Sequence, residues 1–318
     1  NTVNYNLAGA QSVRVPADVS YHHLTLSGSG TKTLLGATDI NGNLTISSAL
    51  ASANFNITLA GNWTSTGFAF VPGTNTTTFD GAAQTISRTG GETFNHLIAS
   101  GTGTKSLASA ITTNGNLTIS STLDVTSANY GVSVLGNWIN NGNFVQNNGT
   151  VTFSGASAQT IGGTTTTNFN NITQSNAAGV SLAQNQNLIN ALTISLGTFT
   201  TTGFNFTLES DATGTARIAA IPAGANFAGN IIMERYTGAS PIDWRFLSSA
   251  VSGATLAQWA DDFATSGFTG ATCGPADCLV PGCGATCNVP SIYWYDETLP
   301  GNLDTFGFVA ANNITDPI

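Results

Sequence analysis

The feature that most constrains this chain is a step of about twenty residues at which short alternating segments return, the length of one coil in a stacked β architecture. Segments centred on Tyr5, Leu24, Leu44 and Trp63 recur at this step. Those centred on Phe79, Leu97, Leu117 and Trp138 keep it, and so do Phe153, Ile172 and Leu192. Within each segment apolar residues alternate with Thr, Asn or Ser, as in Leu44-Thr45-Ile46 and Val151-Thr152-Phe153. Period two with β-branched and aromatic residues means strands with one face turned inward. The competing architecture is a string of antiparallel sandwiches closed by Asn-Gly hairpins, but those would place turns at intervals of roughly half that step.

A longer repeat overlies this step. "AGAQSV", "GAAQTI" and "ASAQTI" bring Gln11, Gln84 and Gln159 into correspondence, and "YHHLTLSGSGTKTL" matches "FNHLIASGTGTKSL", with "FNNITQS" a weaker third copy. "INGNLTISS" and "TNGNLTISS" recur with Asn43 and Asn116 equivalent, and "GNW" occurs at Trp63 and Trp138. Units of about 1–74, 75–148 and 149–222 result, each read as roughly four rungs. The expected fold is all-β: a right-handed parallel β-helix or solenoid of three repeats over 1–222, then a small β-rich C-terminal domain over 223–318. Asn1 aligns with Asn75, inside the pattern, so the chain reads as a fragment of a longer one.

Charged residues make up 7% of the chain, against roughly 25% in ordinary soluble proteins, and the net charge is −9. With two lysines, Lys32 and Lys105, no basic cluster exists to neutralise phosphates or meet an anionic bilayer. Nucleic-acid binding is thereby excluded, and no apolar run is long enough to span a membrane.

Beyond Ala223 the pattern stops, and three of the five tryptophans (Trp244, Trp259, Trp294) and all four cysteines lie there. "TLAQWADDF" places Leu256, Trp259, Ala260 and Phe263 on one helical face with Thr255 as N-cap, while "IIMERY", "DWRFLSSAV" and "SIYWYDE" read as strands. Cys273, Cys278, Cys283 and Cys287 fall in one short stretch, an even local cluster that suits disulfides in an oxidising compartment. Zinc is the rival ligand, without the paired C-x-x-C spacing that typifies its sites.

The repeat motifs, followed by "MERY", "DWRFLSSAVSG", "WADDF" and "SIYWYDE", resemble the large secreted and surface-anchored repeat proteins of Bacteroidota, many of them cargo of the type 9 secretion system. The resemblance implies an extracellular, cell-surface adhesin or stalk. Its implied partners are other surface components, glycans or copies of itself.

Solenoids also carry polysaccharide lyases and glycosidases, which need clustered acids or two facing carboxylates. Asp18, Asp39, Asp80, Glu92, Asp124, Glu209 and Asp211 are scattered over the array without recurring at equivalent positions, so no catalytic residue is expected. His23 and His96 are equivalent and could stack to bind a metal or sense pH; Asn171 in the third copy favours a polar outer row instead. Nine N-x-S/T triplets arise from the strand alternation itself, and stacked Asn rows are their expected use. In the terminal module Asp261, Asp262, Asp296 and Glu297 are candidate calcium ligands, with solvated turns the alternative; no other cofactor is expected. Tyr293, Trp294 and Tyr295 could stack on a sugar, though in a strand at least one faces the core. The function expected is that of a rigid repeat stalk of a surface adhesin or filament, not an enzyme. The alternative is a carbohydrate-binding or polysaccharide-degrading protein on the same scaffold.

Overall fold

The computed structural model describes residues 1–15, 20–236, 253–258, 265–273, 290–295 and 308–317. It divides into two units, Asn1–Gly238 and Ala239–Ile318.

The first unit is a parallel β-solenoid of about ten turns with three faces. On the first face, strands begin at Thr2, His23, Leu44, Trp63, Gln84, Thr104, Thr122 and Asn143, each one turn of the chain after the last. The second face starts as a four-stranded sheet from Gln11–Val13 to Phe70–Val71 and resumes at Glu92–Phe94 in a nine-stranded sheet. The third is a ten-stranded sheet running from Thr38–Ile40 to Ala225–Ala228. Every pairing between turns is parallel, for example Leu24↔Leu44↔Trp63. At the inter-strand spacing of about 4.8 Å, the ten strands of the third face occupy roughly 45 Å along the axis. Parallel pairing runs past the composition shift at Ala223: Ala225–Ala228 pairs with Gly197–Thr200, and Ile232–Met233 with Phe206–Leu208.

Alternation decides what is inside. In Leu44–Ile46 the two apolar side chains are buried and Thr45 points out, and the same holds in Leu117–Ile119 and Val132–Val134. The inward rows form one continuous core from Val13 to Leu208. It contains two aromatic plugs one repeat apart. Trp63 meets Phe70, Phe79 and Phe94 with ring centroids 5.0, 6.2 and 5.2 Å away, and Trp138 meets Phe144, Phe153 and Phe169 at 4.8, 6.4 and 5.2 Å. Burying a large aromatic side chain contributes about 2 to 3 kcal/mol.

The repeats do not hold a whole number of turns. Between His23–Leu26 and His96–Ala99 the chain makes eleven strand steps, which on three faces is three turns and two further faces. The copies therefore rotate around the axis. His23–Leu26 lies on the first face, His96–Ala99 on the third, and the Asn171–Gln174 part of Thr167–Gln174 on the second. Each copy thus spans three and two-thirds turns, in line with the roughly four rungs read from the spacing, and the remainder sets the rotation. Residues one above another belong to successive turns of one copy, not to equivalent positions of successive copies.

In the second unit, Tyr293–Tyr295 pairs antiparallel with Phe308–Ala310, and Leu256–Gln258 forms a 3-10 turn. The Thr255 backbone N–H donates to Gln258 Oε1, the reach-back of a capping box. Leu256, Phe268, Ala271 and Ala311 form a small core with Ile292, Trp294 and Ile314 packed against it. The continuation of the expected helix from Trp259 onward and the "DWRFLSSAV" strand lie outside the described residues. Among the described residues no helix is long and apolar enough to cross a membrane.

Candidate functional site

The recurrent motifs become three constellations, each built where the chain turns a corner or meets a seam. In the first, "SGxGTK" makes a nest for a buried ammonium. Lys32 is fully buried, and its Nζ donates to the carbonyls of Leu7, Gly9 and Ser29 at 2.8, 3.2 and 3.0 Å. Lys105, equally buried, donates to Gly81, Ala82 and Thr102 at 2.6, 2.9 and 3.1 Å. Burial pulls the Lys105 ammonium below the usual lysine range, with Asp80 opposing. The glycines are obligatory: Gly101 has φ +70°, and a Cβ there would collide with the Asp80 carbonyl oxygen. In the third copy Val180 replaces the lysine. There Asn176 Nδ2 donates to Ser157 O at 2.7 Å, the carbonyl equivalent to that of Ala82.

Beside each nest sits the glutamine that marks the repeat. Gln84 Nε2 donates to the carbonyls of Leu59 and Gly61 at 2.8 and 2.6 Å, and its Oε1 accepts the Gly81 N–H at 2.9 Å. Gln159 does the same with Val134, Gly136 and Gly155. These buried amides tie one turn to the previous one, and the Nε2 and Oε1 of both Gln84 and Gln159 have partners.

The second constellation is a corner ladder. His23 Nδ1 accepts the Asn43 backbone N–H at 2.8 Å, Asn43 Oδ1 accepts that of Asn62 at 2.9 Å, and Asn62 Oδ1 that of Thr85 at 2.8 Å. The next copy repeats the series through His96, Asn116, Asn137 and Thr160 at 3.0, 2.9 and 2.9 Å. The recurring "NGNLTISS" is thus a rung-to-rung connector. His23 and His96 lie on different faces and do not stack with each other; His23 instead meets His22 at 4.3 Å between ring centroids.

The third constellation joins each core tryptophan to a polar residue of the following turn. Trp63 Nε1–H donates to Glu92 Oε2 at 2.8 Å, and Trp138 Nε1–H to Thr167 Oγ1 at 3.1 Å. Glu92 is buried, and desolvation raises its pKa against the opposing pull of Trp63, the Thr93 N–H and Arg88.

The outer faces are rows of short hydroxyls. On the second face Thr93, Thr112, Ser133, Thr152, Thr173 and Thr193 stand in register. A shallow polar groove on the first face is lined by Thr2, His23, Thr25, Asn43 and Thr45. Asp39, Asp80 and Asp211 are exposed, Asp124 receives the Thr126 N–H at 2.7 Å, and Asp18 lies outside the described residues. Glu209 is raised by burial and by the neighbouring Glu234 and Asp211 carboxylates. Among the described residues no group of three or more His, Cys, Asp or Glu is arranged to hold a metal ion.

In the second unit the candidate calcium ligands Asp261, Asp262, Asp296 and Glu297 lie outside the described residues, as do Cys278, Cys283 and Cys287; Cys273 is buried. Of the aromatic triplet, Trp294 packs against the small core, which places a candidate stacking ring among structural contacts. The buried Lys32, Lys105 and Glu92 were not singled out by their chemistry in the sequence, although the recurrence of Gly-x-Gly-Thr-Lys was a signal for the first two. No family model, curated protein or solved structure matches the chain.

Proposed function

We propose that the chain is a rigid spacer, the repeat stalk of an extracellular cell-surface protein of adhesin or filament type. The observation that carries this reading is the continuous core across about ten parallel turns, tied from turn to turn by buried Lys and Gln side chains and by Asn corner ladders. Such a body holds two ends apart, and rotation of the copies spreads each motif over all three faces. The scarcity of charge and the hydroxyl-rich outer rows support a polar exterior that needs no specific ligand. Pairing of Cys273 with another of the four cysteines suits the same oxidising setting. Protease shaving and antibody labelling of intact source cells, combined with stretching of single molecules, test the proposal. Surface exposure with unfolding in steps of repeat size supports it; an intracellular pool, or extension without a force-resisting array, refutes it.

The second reading, carbohydrate binding, is favoured by the polar groove at Thr25 and Thr45. A glycan-array signal removed by Thr25→Val and Thr45→Val would support it over the spacer.

A further inference from the structure

At two places one face of the solenoid loses its ladder while the other two keep theirs. On the second face Phe70–Val71 ends the four-stranded sheet and Glu92–Phe94 begins the nine-stranded one, with no strand pairing between them among the described residues. One copy later the break falls on the first face, between Asn143–Val145 and the start of Thr167–Gln174. Pairing continues on the other faces, as in Ile86↔Trp63 and Trp138↔Ile161. The two breaks share one geometry. Val71 O accepts the Ser52 N–H of the preceding turn, so the alternate residue Phe70 turns its own N–H and C=O toward the next turn, where no strand receives them. Val145 O accepts from Val125 in the same way, which leaves Phe144 facing the second break.

Side chains take over where the ladder is missing. The rings of Phe70 and Phe94 lie 6.0 Å apart across the first break, and those of Phe144 and Phe169 6.2 Å apart across the second. Trp63 Nε1–H reaches over to Glu92 at 2.8 Å, while Trp138 Nε1–H and Asn140 Nδ2 reach over to Thr167 at 3.1 and 3.0 Å. The backbone bonds that still cross the breaks are stretched. On the third face the residue after each strand donates its N–H to a carbonyl of the preceding turn, and these bonds are 2.7 or 2.8 Å long from Ala60, Ser100, Ser120, Asn141 and Ala183. The two that cross a break, from Asp80 to Leu59 and from Thr164 to Asn140, are 3.1 and 3.0 Å. On the second face the Ser154 bond to Val134 crosses the second break at 3.2 Å, between bonds of 2.8 Å from Leu135 and 2.9 Å from Ser175.

We propose that the two breaks are opening points built into the array: turns part there more readily than anywhere within a block, and the solenoid yields as blocks one repeat long. In a stacked array each turn is held by its contacts with the turns before and after, so the weakest such contact decides where it opens. A turn inside a block has three ladders to its neighbour, whereas a turn at a break has two and a plug of aromatic rings closed by side-chain hydrogen bonds. Ring contacts resist separation without fixing register, and the indole bonds replace only part of the lost ladder. The inference fixes where the body gives way, which the spacer reading leaves open. Its test reads local opening directly, so it can fail while the stalk stands, and the reverse.

Native-state hydrogen exchange of the whole chain, resolved by residue and corrected for intrinsic amide rates, compares matched amides in one molecule. Asp80 and Thr164 are expected to be about tenfold less protected than Ser100, Ser120 and Asn141, which occupy the same corner of the third face within a block. Trp138→Phe keeps a ring in the second plug and removes the indole donor to Thr167. It raises exchange of Thr164 and Ser154 about fivefold, the ratio that one ordinary hydrogen bond represents, and leaves Asp80 unchanged. Equal protection along the row, or a Trp138→Phe effect that is absent or shared equally by Asp80, overturns the proposal. Should the variant not fold, the row of amides in the native chain decides alone.

Discussion

His96 Nδ1 accepts the backbone N–H of Asn116 at 3.0 Å, one turn further along the solenoid. Only a neutral imidazole with its hydrogen on Nε2 can do this, so the ring acts as a fixed acceptor at a corner. His96→Asn, which restores the residue type found at position 171, is expected to change stability by less than about 0.5 kcal/mol. His96→Leu leaves the Asn116 N–H unpaired and costs about 1 kcal/mol, read from urea unfolding midpoints.

Lys105 makes a stronger demand, because three carbonyls converge on its ammonium inside the protein. Lys105→Met leaves them without a donor and is expected to destabilise by about 3 kcal/mol. The pH dependence adds a sign test. The folded-state pKa is lowered, so the unfolded chain binds the proton more tightly, and stability rises with pH through the lowered value. The native chain therefore gains on the Met variant as pH climbs toward the ordinary lysine range; a gap constant between pH 7 and 10 contradicts this.

Gly101 and Gly90 separate strain from collision. Both have positive φ, +70° and +89°, but a Cβ at Gly90 meets nothing within 4 Å, whereas one at Gly101 strikes the Asp80 carbonyl. Gly90→Ala is expected to cost about 1 kcal/mol for backbone strain alone. Gly101→Ala is expected to exceed it by about 2 kcal/mol or more, because backbone of the preceding turn must move. Similar melting losses in the two variants would contradict the close approach.

Much of the array was legible in the sequence. The alternation in Leu44-Thr45-Ile46 reports a strand with one buried face, and the step from Leu24 to Leu44 reports the turn, because both are local consequences of coiling. The rotation of the copies was not legible: it depends on eleven strands being divided among three faces, and spacing alone does not count faces. Lys32 and Lys105 look like surface residues until the carbonyls of the preceding turn surround them. Glu92 was hidden for a related reason. Its counterpart Thr167 shares neither charge nor size, and only the common partner, a core tryptophan at the same separation in both copies, reveals the equivalence. The composition shift at Ala223 precedes the end of parallel pairing because Ala225–Ala228 and Ile232–Met233 still add rungs.

The account rests on successive turns stacking in parallel, and the distance between Thr93 and Thr193 tests it most directly. The two residues are separated by five inter-strand steps through Thr112, Ser133, Thr152 and Thr173. Spin labels introduced at both positions as unnatural amino acids are predicted to show one narrow distance near 24 Å, about five times the strand spacing. A broad distribution, or a separation beyond about 40 Å as separate sandwich domains in series would give, would contradict it.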